Sequence, residues 1–461
     1  MDGTYQVVAD PAGIYTGSAS AQVNIVAQDV AAQAAIGGAA STLTTTIAGQ
    51  HGVWTFTATA GQQVSFNFTG STFTSSSDVK VKVKKPDGTD LVADTRCGAN
   101  CLLEPTVLPV DGTYTVELSP QNAKTGSLTL QLYSVAHLTG TVAVGGAASS
   151  LTTTTPGQNG SWSFSGTAGQ LVSFNFTDAN FASSTGARVS VKKPDGSVFV
   201  AATYCGRNCF LEPVALPVSG TYRVEFDPQD GNVGKLTARL YSVAHLTGSV
   251  AVGGAASSLT TTTPGQNGTW SFSGTAGQFV SFNFTDANFT LTTGAQVTVK
   301  KPDGTTLIAG TYCGRNCFLD PVTLPATGTY TVEFNPREEQ VGKLTLQAYS
   351  VTDLSPASIV IGGATSTLTT KTPGQNGTWT FNGTANQKVT FAFTNASFAS
   401  SIDARVSVTK PDGTALVSPT YCGRNCTISA TTLPTTGTYT ILFNPQSEKT
   451  GSLTVKVALG G

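Results

Sequence analysis

The stretch GSWSFSGTAGQLVSFNF, residues 160–176, decides how this chain is read. Trp162 and Phe164 alternate with Ser163; Val172, Phe174 and Phe176 alternate with Ser173 and Asn175. Side chains two residues apart share one face of a strand, so this pattern describes half-buried strands. The pattern continues outward. Val189 and Val191 alternate with Ser190 and Lys192, then Tyr222, Val224 and Phe226 with Arg223 and Glu225, then Leu236, Ala238 and Leu240 with Thr237 and Arg239. KKPDG, from Lys192 to Gly196, sets a proline and an Asp-Gly pair between two such runs, the chemistry of a hairpin turn. No segment keeps a 3.6-residue period over three turns, so almost no helix is expected.

The same text recurs. Trp54, Trp162, Trp270 and Trp379 lie 108, 108 and 109 residues apart. Cysteine pairs and a Gly-Thr-Tyr tripeptide ending at Tyr114, Tyr222, Tyr330 and Tyr439 keep the same step. A period this long marks a tandem array. The chain divides into modules at residues 28–135, 136–243, 244–351 and 352–461, with residues 1–27 resembling the tail of a truncated preceding module. About eight short strands per module, with turns at regular spacing, predict an all-β fold of tandem antiparallel β-sandwiches.

The combination SFSGTAGQLVSFNFT, VSVKKPDGSVF, LPVSGTYRVEFDP and GKLTARLYSV resembles the bacterial pre-peptidase C-terminal type of domain, found in tandem in large secreted and surface proteins. The resemblance spans all four modules. It implies a jelly-roll-like sandwich, an extracellular setting and an accessory role. Some members of that family bind calcium through paired acidic residues ahead of the strand entering the Pro-Asp-Gly turn. Here only Asp78 and Asp403 stand near that place, one each, so no metal or other cofactor is expected.

The 461 residues carry a net charge of −1 and only 11% charged residues. Such a surface has no long-range field for nucleic acid, and no apolar run is long enough for a membrane-inserting helix. Each module holds one Cys-Gly-x-Asn-Cys: Cys97/Cys101, Cys205/Cys209, Cys313/Cys317 and Cys422/Cys426. Local pairing argues for structural disulfides and an oxidising, extracellular or cell-surface location. Two thiols fall short of the usual four zinc ligands, and no βαβ pattern accompanies the pair as it does in redox motifs. Metal and reactive-thiol readings remain as alternatives.

Tyr204, just ahead of its loop, and Arg207, within it, are repeated as Tyr312/Arg315 and Tyr421/Arg424 and form a candidate contact surface for a neighbouring module or an external ligand such as a glycan. A second candidate is a polar cluster. Lys192, Asn175 and Glu225, shared with modules one and three, all change in module four, to Thr409, Ala392 and Leu442. Joint replacement suggests a Lys–Glu pair with Asn beside it on three strands of one sheet; a Lys–Asn isopeptide bond is the more radical version. His51, His137 and His245 have no partner at catalytic spacing, and no nucleophile elbow or phosphate loop is present. The expected function is non-catalytic: an extracellular structural repeat protein forming a rigid stalk or fibre, self-associating or bound to neighbouring modules. The alternative is an adhesion or carbohydrate-binding array appended to a secreted enzyme.

Overall fold

The computed structural model describes residues 4–11, 13, 16–21, 23, 25 and 28–460. The chain is all-β. Among the described residues the helices are two three-residue 3-10 turns, Ser76–Asp78 and Ser401–Asp403. Among the described residues no helix is long and apolar enough to cross a membrane.

The first unit shows the plan. Its strands are β1 (Val30–Gln33), β2 (Ser41–Thr45), β3 (Gly52–Ala58), β4 (Gln63–Thr69), β5 (Val79–Lys84), β6 (Asp90–Arg96), β7 (Cys101–Val107), β8 (Gly112–Pro120) and β9 (Gly126–Ser134). One sheet has the order β1-β3-β8-β5-β6 and the other β2-β9-β4-β7. The pattern recurs three times along the chain.

This corrects the expected fold class. The expected tandem antiparallel β-sandwich, a jelly-roll-like module of about eight strands, is not what forms. Each unit has nine strands in a five-plus-four arrangement, and the five-stranded sheet is mixed. Its first strand runs parallel to its third, Val30 to Gln33 lying beside Gly52 to Thr55. The same parallel pairing recurs at Leu138, Leu246 and Ala357. Nor are the units loose beads, because consecutive units are hydrogen-bonded to each other, as described below.

The alternating residues fill the space between the two sheets. Trp162, Phe174, Phe176, Tyr222, Val224 and Phe226 are all fully buried. Phe164 stacks on Tyr222 at 5.2 Å, and Tyr222 donates its hydroxyl to the Val218 carbonyl at 2.7 Å, so the phenol is buried with its polar end satisfied. Tyr114, Tyr330 and Tyr439 repeat that bond. Four separate hydrophobic clusters result, one per unit.

The expectation for residues 1–27 falls partly outside the described residues. Those that are described form no strand, and Tyr5, Val7, Val23 and Ile25 are exposed.

Candidate functional site

The cysteine loops are structural in every position but one. Cys97 is bonded to Cys101, Cys205 to Cys209, Cys313 to Cys317 and Cys422 to Cys426, with Cα atoms 5.4–5.5 Å apart. This is the reach of a disulfide, and the chain must turn tightly to bring residues four apart so close. Their spacing treats the two cysteines of a bridge alike, but the fold does not. The first of each pair, Cys97, Cys205, Cys313 or Cys422, is buried in the core of its unit. The second, Cys101, Cys209, Cys317 or Cys426, opens strand seven and is only half-buried, packed against the edge of that core. Each bridge therefore ties an outer strand to the core.

Glycine makes the turn possible. A Cβ on Gly206 would collide with the Ser183 carbonyl oxygen, and the equivalent glycines are as crowded. The asparagine pins the loop to its neighbour: Asn208 Oδ1 accepts from the Ala179 amide at 3.2 Å, and Asn316 and Asn425 repeat the bond. The variable position carries Ala99, Arg207, Arg315 and Arg424, all exposed. Arg424 donates to the Ala399 carbonyl at 2.9 Å.

The tyrosines beside these loops do not pair with those arginines. Tyr204 is covered by Arg188, whose guanidinium carbon lies 4.4 Å from the ring centre. Strand pairing sets Arg188 directly opposite Tyr204 in the hairpin. Arg405 covers Tyr421 in the same way. Unit three has Gln296 in that position, and Arg337 takes over, donating to the Tyr312 hydroxyl at 2.8 Å.

The polar trio is divided. Lys192 Nζ lies 3.7 Å from Glu225 Oε2, and Lys84–Glu117 and Lys300–Glu333 lie at 2.7 and 2.5 Å. These pairs sit on the five-stranded sheet, whereas Asn175 is on the four-stranded sheet. Lysine and asparagine are therefore not gathered for an isopeptide bond. Partly solvated pairs of this kind are worth only ~0–1 kcal/mol.

His137, His245 and Asp178 hold loops. His137 Nδ1 accepts from the Asn159 amide and His245 Nδ1 from the Asn267 amide, both at 3.1 Å; in unit four Asp353 accepts from the Asn376 amide at 2.8 Å. Asp178, at φ +56°, accepts from Thr237 Oγ1 and Lys235 Nζ, and these donors hold its carboxyl below the usual range. Asp78 caps its 3-10 turn by accepting from Thr74 and Ser75. Among the described residues no three His, Cys, Asp or Glu side chains converge as a metal site.

Sequence reasoning missed the surface with the most repeated chemistry, the junction between units. Strand seven of unit two (Cys209–Ala215) bulges where Glu212 and Pro213 stand opposite the single residue Ser173. Proline tolerates a bulge because no ladder donor is needed there. The loop Pro264-Gly265 of the next unit seats on this bulge. Ser173, fully buried, donates its hydroxyl to the Pro264 carbonyl at 2.8 Å. Ser65 does the same to Pro156 at 2.6 Å, and Ser281 to Pro373 at 2.8 Å. Gly157, Gly265 and Gly374 have positive φ, and a Cβ on each would lie within 3.0 Å of the bulge proline Pro105, Pro213 or Pro321. Asn67 faces Gly231 across the first junction. The connectors are short: strand nine of unit one ends at Ser134, and the next unit's first strand starts at Leu138. Gln158 clamps this connector by donating to the Ala136 carbonyl at 2.7 Å, a bond repeated by Gln266 and Gln375.

The first junction is also electrostatically distinct. Burial, together with the facing carboxylates of Asp227 and Asp230 from unit two, pushes Glu104 up to about 7. Burial also raises Glu212, but there the Glu338 amide and Arg337 partly offset it.

No known family description matches this chain, and no curated protein does. Solved structures similar in part include a periplasmic inhibitor of g-type lysozyme, PliG, from Aeromonas hydrophila, at 18% identity and a TM-score of 0.17, covering 23% of this chain and 99% of that one. The pre-peptidase C-terminal domain of a Bacillus anthracis collagenase is 11% identical with a TM-score of 0.17, covering 23% and 97%. The CUB1-EGF-CUB2 region of rat MASP-1 is 11% identical with a TM-score of 0.15, covering 45% and 99%. Likenesses this weak carry no argument about function.

Proposed function

We propose that this chain is a non-catalytic, extracellular structural repeat protein, a stiff stalk or fibre segment whose units are docked rather than strung. The observation that supports this most is the serine-to-proline-carbonyl bond made at three successive junctions. A flexible array would have no use for a buried hydrogen bond between units, since ordering two units costs entropy that a bead chain avoids. The extracellular setting rests on four local disulfides, bonds that persist in oxidising compartments. The adhesive alternative is less well supported, because an arginine already covers a face of Tyr204, Tyr312 and Tyr421, where a sugar ring would stack. Electron microscopy of native material tests the reading. Ordered stalks or filaments are expected; dispersed flexible chains that bind on a glycan array would overturn it.

A further inference from the structure

The junction surface is an interaction site with a definite partner, and the chain carries one copy of it in altered form. In units one to three it consists of the buried serine, the asparagine two residues later, the strand-seven residue paired with that asparagine, and the two bulge residues. In unit one these are Ser65, Asn67, Leu102, Glu104 and Pro105; in unit two, Ser173, Asn175, Phe210, Glu212 and Pro213; in unit three, Ser281, Asn283, Phe318, Asp320 and Pro321. In unit four the set reads Thr390, Ala392, Thr427, Ser429 and Ala430. All five differ. The surrounding core does not: Trp379, Val389, Phe391 and Tyr439 are fully buried like their equivalents, and the bulge register is kept.

We infer that this face recognises the Pro-Gly loop of another copy of the repeat, and that unit four carries a terminated version that does not accept one. The physical reasons are local. The Pro-Gly loop is pressed against the serine: a Cβ on Gly157 would lie 2.9 Å from Ser65 Cβ. Thr390 carries one more methyl on that same carbon, where Ser65 leaves the loop no spare room. Ala430 lacks the proline ring on which the loop glycine packs. Ala392 lacks the amide that faces Gly231 in the first junction, and Thr427 replaces an apolar side chain with a hydroxyl. A polar, recontoured face of this kind does not propagate the docking, a property repeat arrays use to stop their own extension. The inference rests on the residues of the face and is independent of whatever follows Gly461 in sequence. It also stands apart from the proposed function, since a docked array with a terminated face could serve any role.

Moving the unit-four set into unit one of the full chain tests it: Ser65→Thr, Asn67→Ala, Leu102→Thr, Glu104→Ser and Pro105→Ala. Hydrogen exchange is read at residues 154–158, with residues 262–266 and 371–375 as internal references. The expected result is an increase of about tenfold or more in exchange at 154–158 alone, with strands β8 and β9 of unit one still protected. Ser65→Thr by itself gives a smaller increase in the same place. Unchanged exchange at 154–158 in both variants, with unit one folded, would overturn the inference. Loss of protection throughout unit one in the fivefold variant leaves the decision to Ser65→Thr, where no rise counts against it.

Discussion

Ser65 Oγ donates to the carbonyl oxygen of Pro156, 91 residues later, at 2.6 Å, and this bond joins the first unit to the second. The serine has no exposed surface. It sits between Val64 and Phe66 on a strand whose neighbours face the core, yet its partner belongs to another unit. Hydrogen bonds in such places matter chiefly through the cost of leaving them unmade, about 1–3 kcal/mol for a buried group.

Ser173→Ala therefore weakens the second junction by roughly 1–3 kcal/mol, because the Pro264 carbonyl loses its donor. Native-state hydrogen exchange at residues 262–266 reads this as a higher opening rate, while the Trp162 and Tyr222 strands keep theirs.

Two glycines of unit two separate backbone strain from docking. Gly157 and Gly169 have φ of +83° and +80°. An alanine at either carries the left-handed cost, about 1–2 kcal/mol. At Gly169 nothing lies within 4 Å of the new Cβ, whereas at Gly157 it meets Ser65 and Pro105 at 2.9 and 3.0 Å. Gly157→Ala is expected to loosen the first junction in exchange measurements, and Gly169→Ala to leave it unchanged.

The first junction should respond to pH. Glu104 is raised from 4.5 to about 7 by burial and by Asp227 and Asp230. A carboxyl whose folded pKa lies above its unfolded value favours the protonated folded state. The junction is thus firmest below about pH 4.5, weakens as pH climbs to about 7, and levels off above that. Exchange at residues 154–158 followed from pH 4.5 to 8, after correction for intrinsic rates, should show that profile. Glu104→Gln should flatten it.

Reducing the disulfides should cost each unit locally. Bridging a loop this short removes roughly 2 kcal/mol of unfolded-state entropy. Cys205→Ser with Cys209→Ser lowers the stability of unit two by about that amount in denaturant titration, and thiol titration of the native chain finds close to no free thiol.

Much of the fold was legible because its cause is local. The alternation at Trp162–Phe164 and Val172–Phe176 follows from burial on one face of a strand, and the Pro-Asp-Gly turn from backbone conformation. The strands that escaped, such as Leu138–Thr141 and Ser149–Thr152, are short, at sheet edges, and apart from Leu138 and Leu151 made of Thr, Ser and Gly, so burial imprints little pattern on them. Parallel pairing of the first strand is a nonlocal choice that periodicity does not encode. The same limit explains Asn175. Alternation placed it on an outward face but says nothing about which sheet that face belongs to, so it was grouped with Lys192 and Glu225. Arg188 was overlooked beside Tyr204 because Arg207 is nearer in sequence, although counting the hairpin register opposes Arg188 to Tyr204. The junction had a visible trace, a serine inside an apolar run at Ser65, Ser173 and Ser281 that becomes Thr390, but its partner lies 91 or 92 residues away.

The central claim is that the four units are held in fixed succession by these junctions. Small-angle X-ray scattering from the full chain tests it most directly. Docked units predict a single extended particle, with a sharply defined maximum dimension on the order of 150 Å and a Kratky curve that returns toward baseline. A Kratky plateau, with a broad distribution of dimensions unaffected by Ser65→Thr or Ser173→Ala, would show independently moving units and contradict the account.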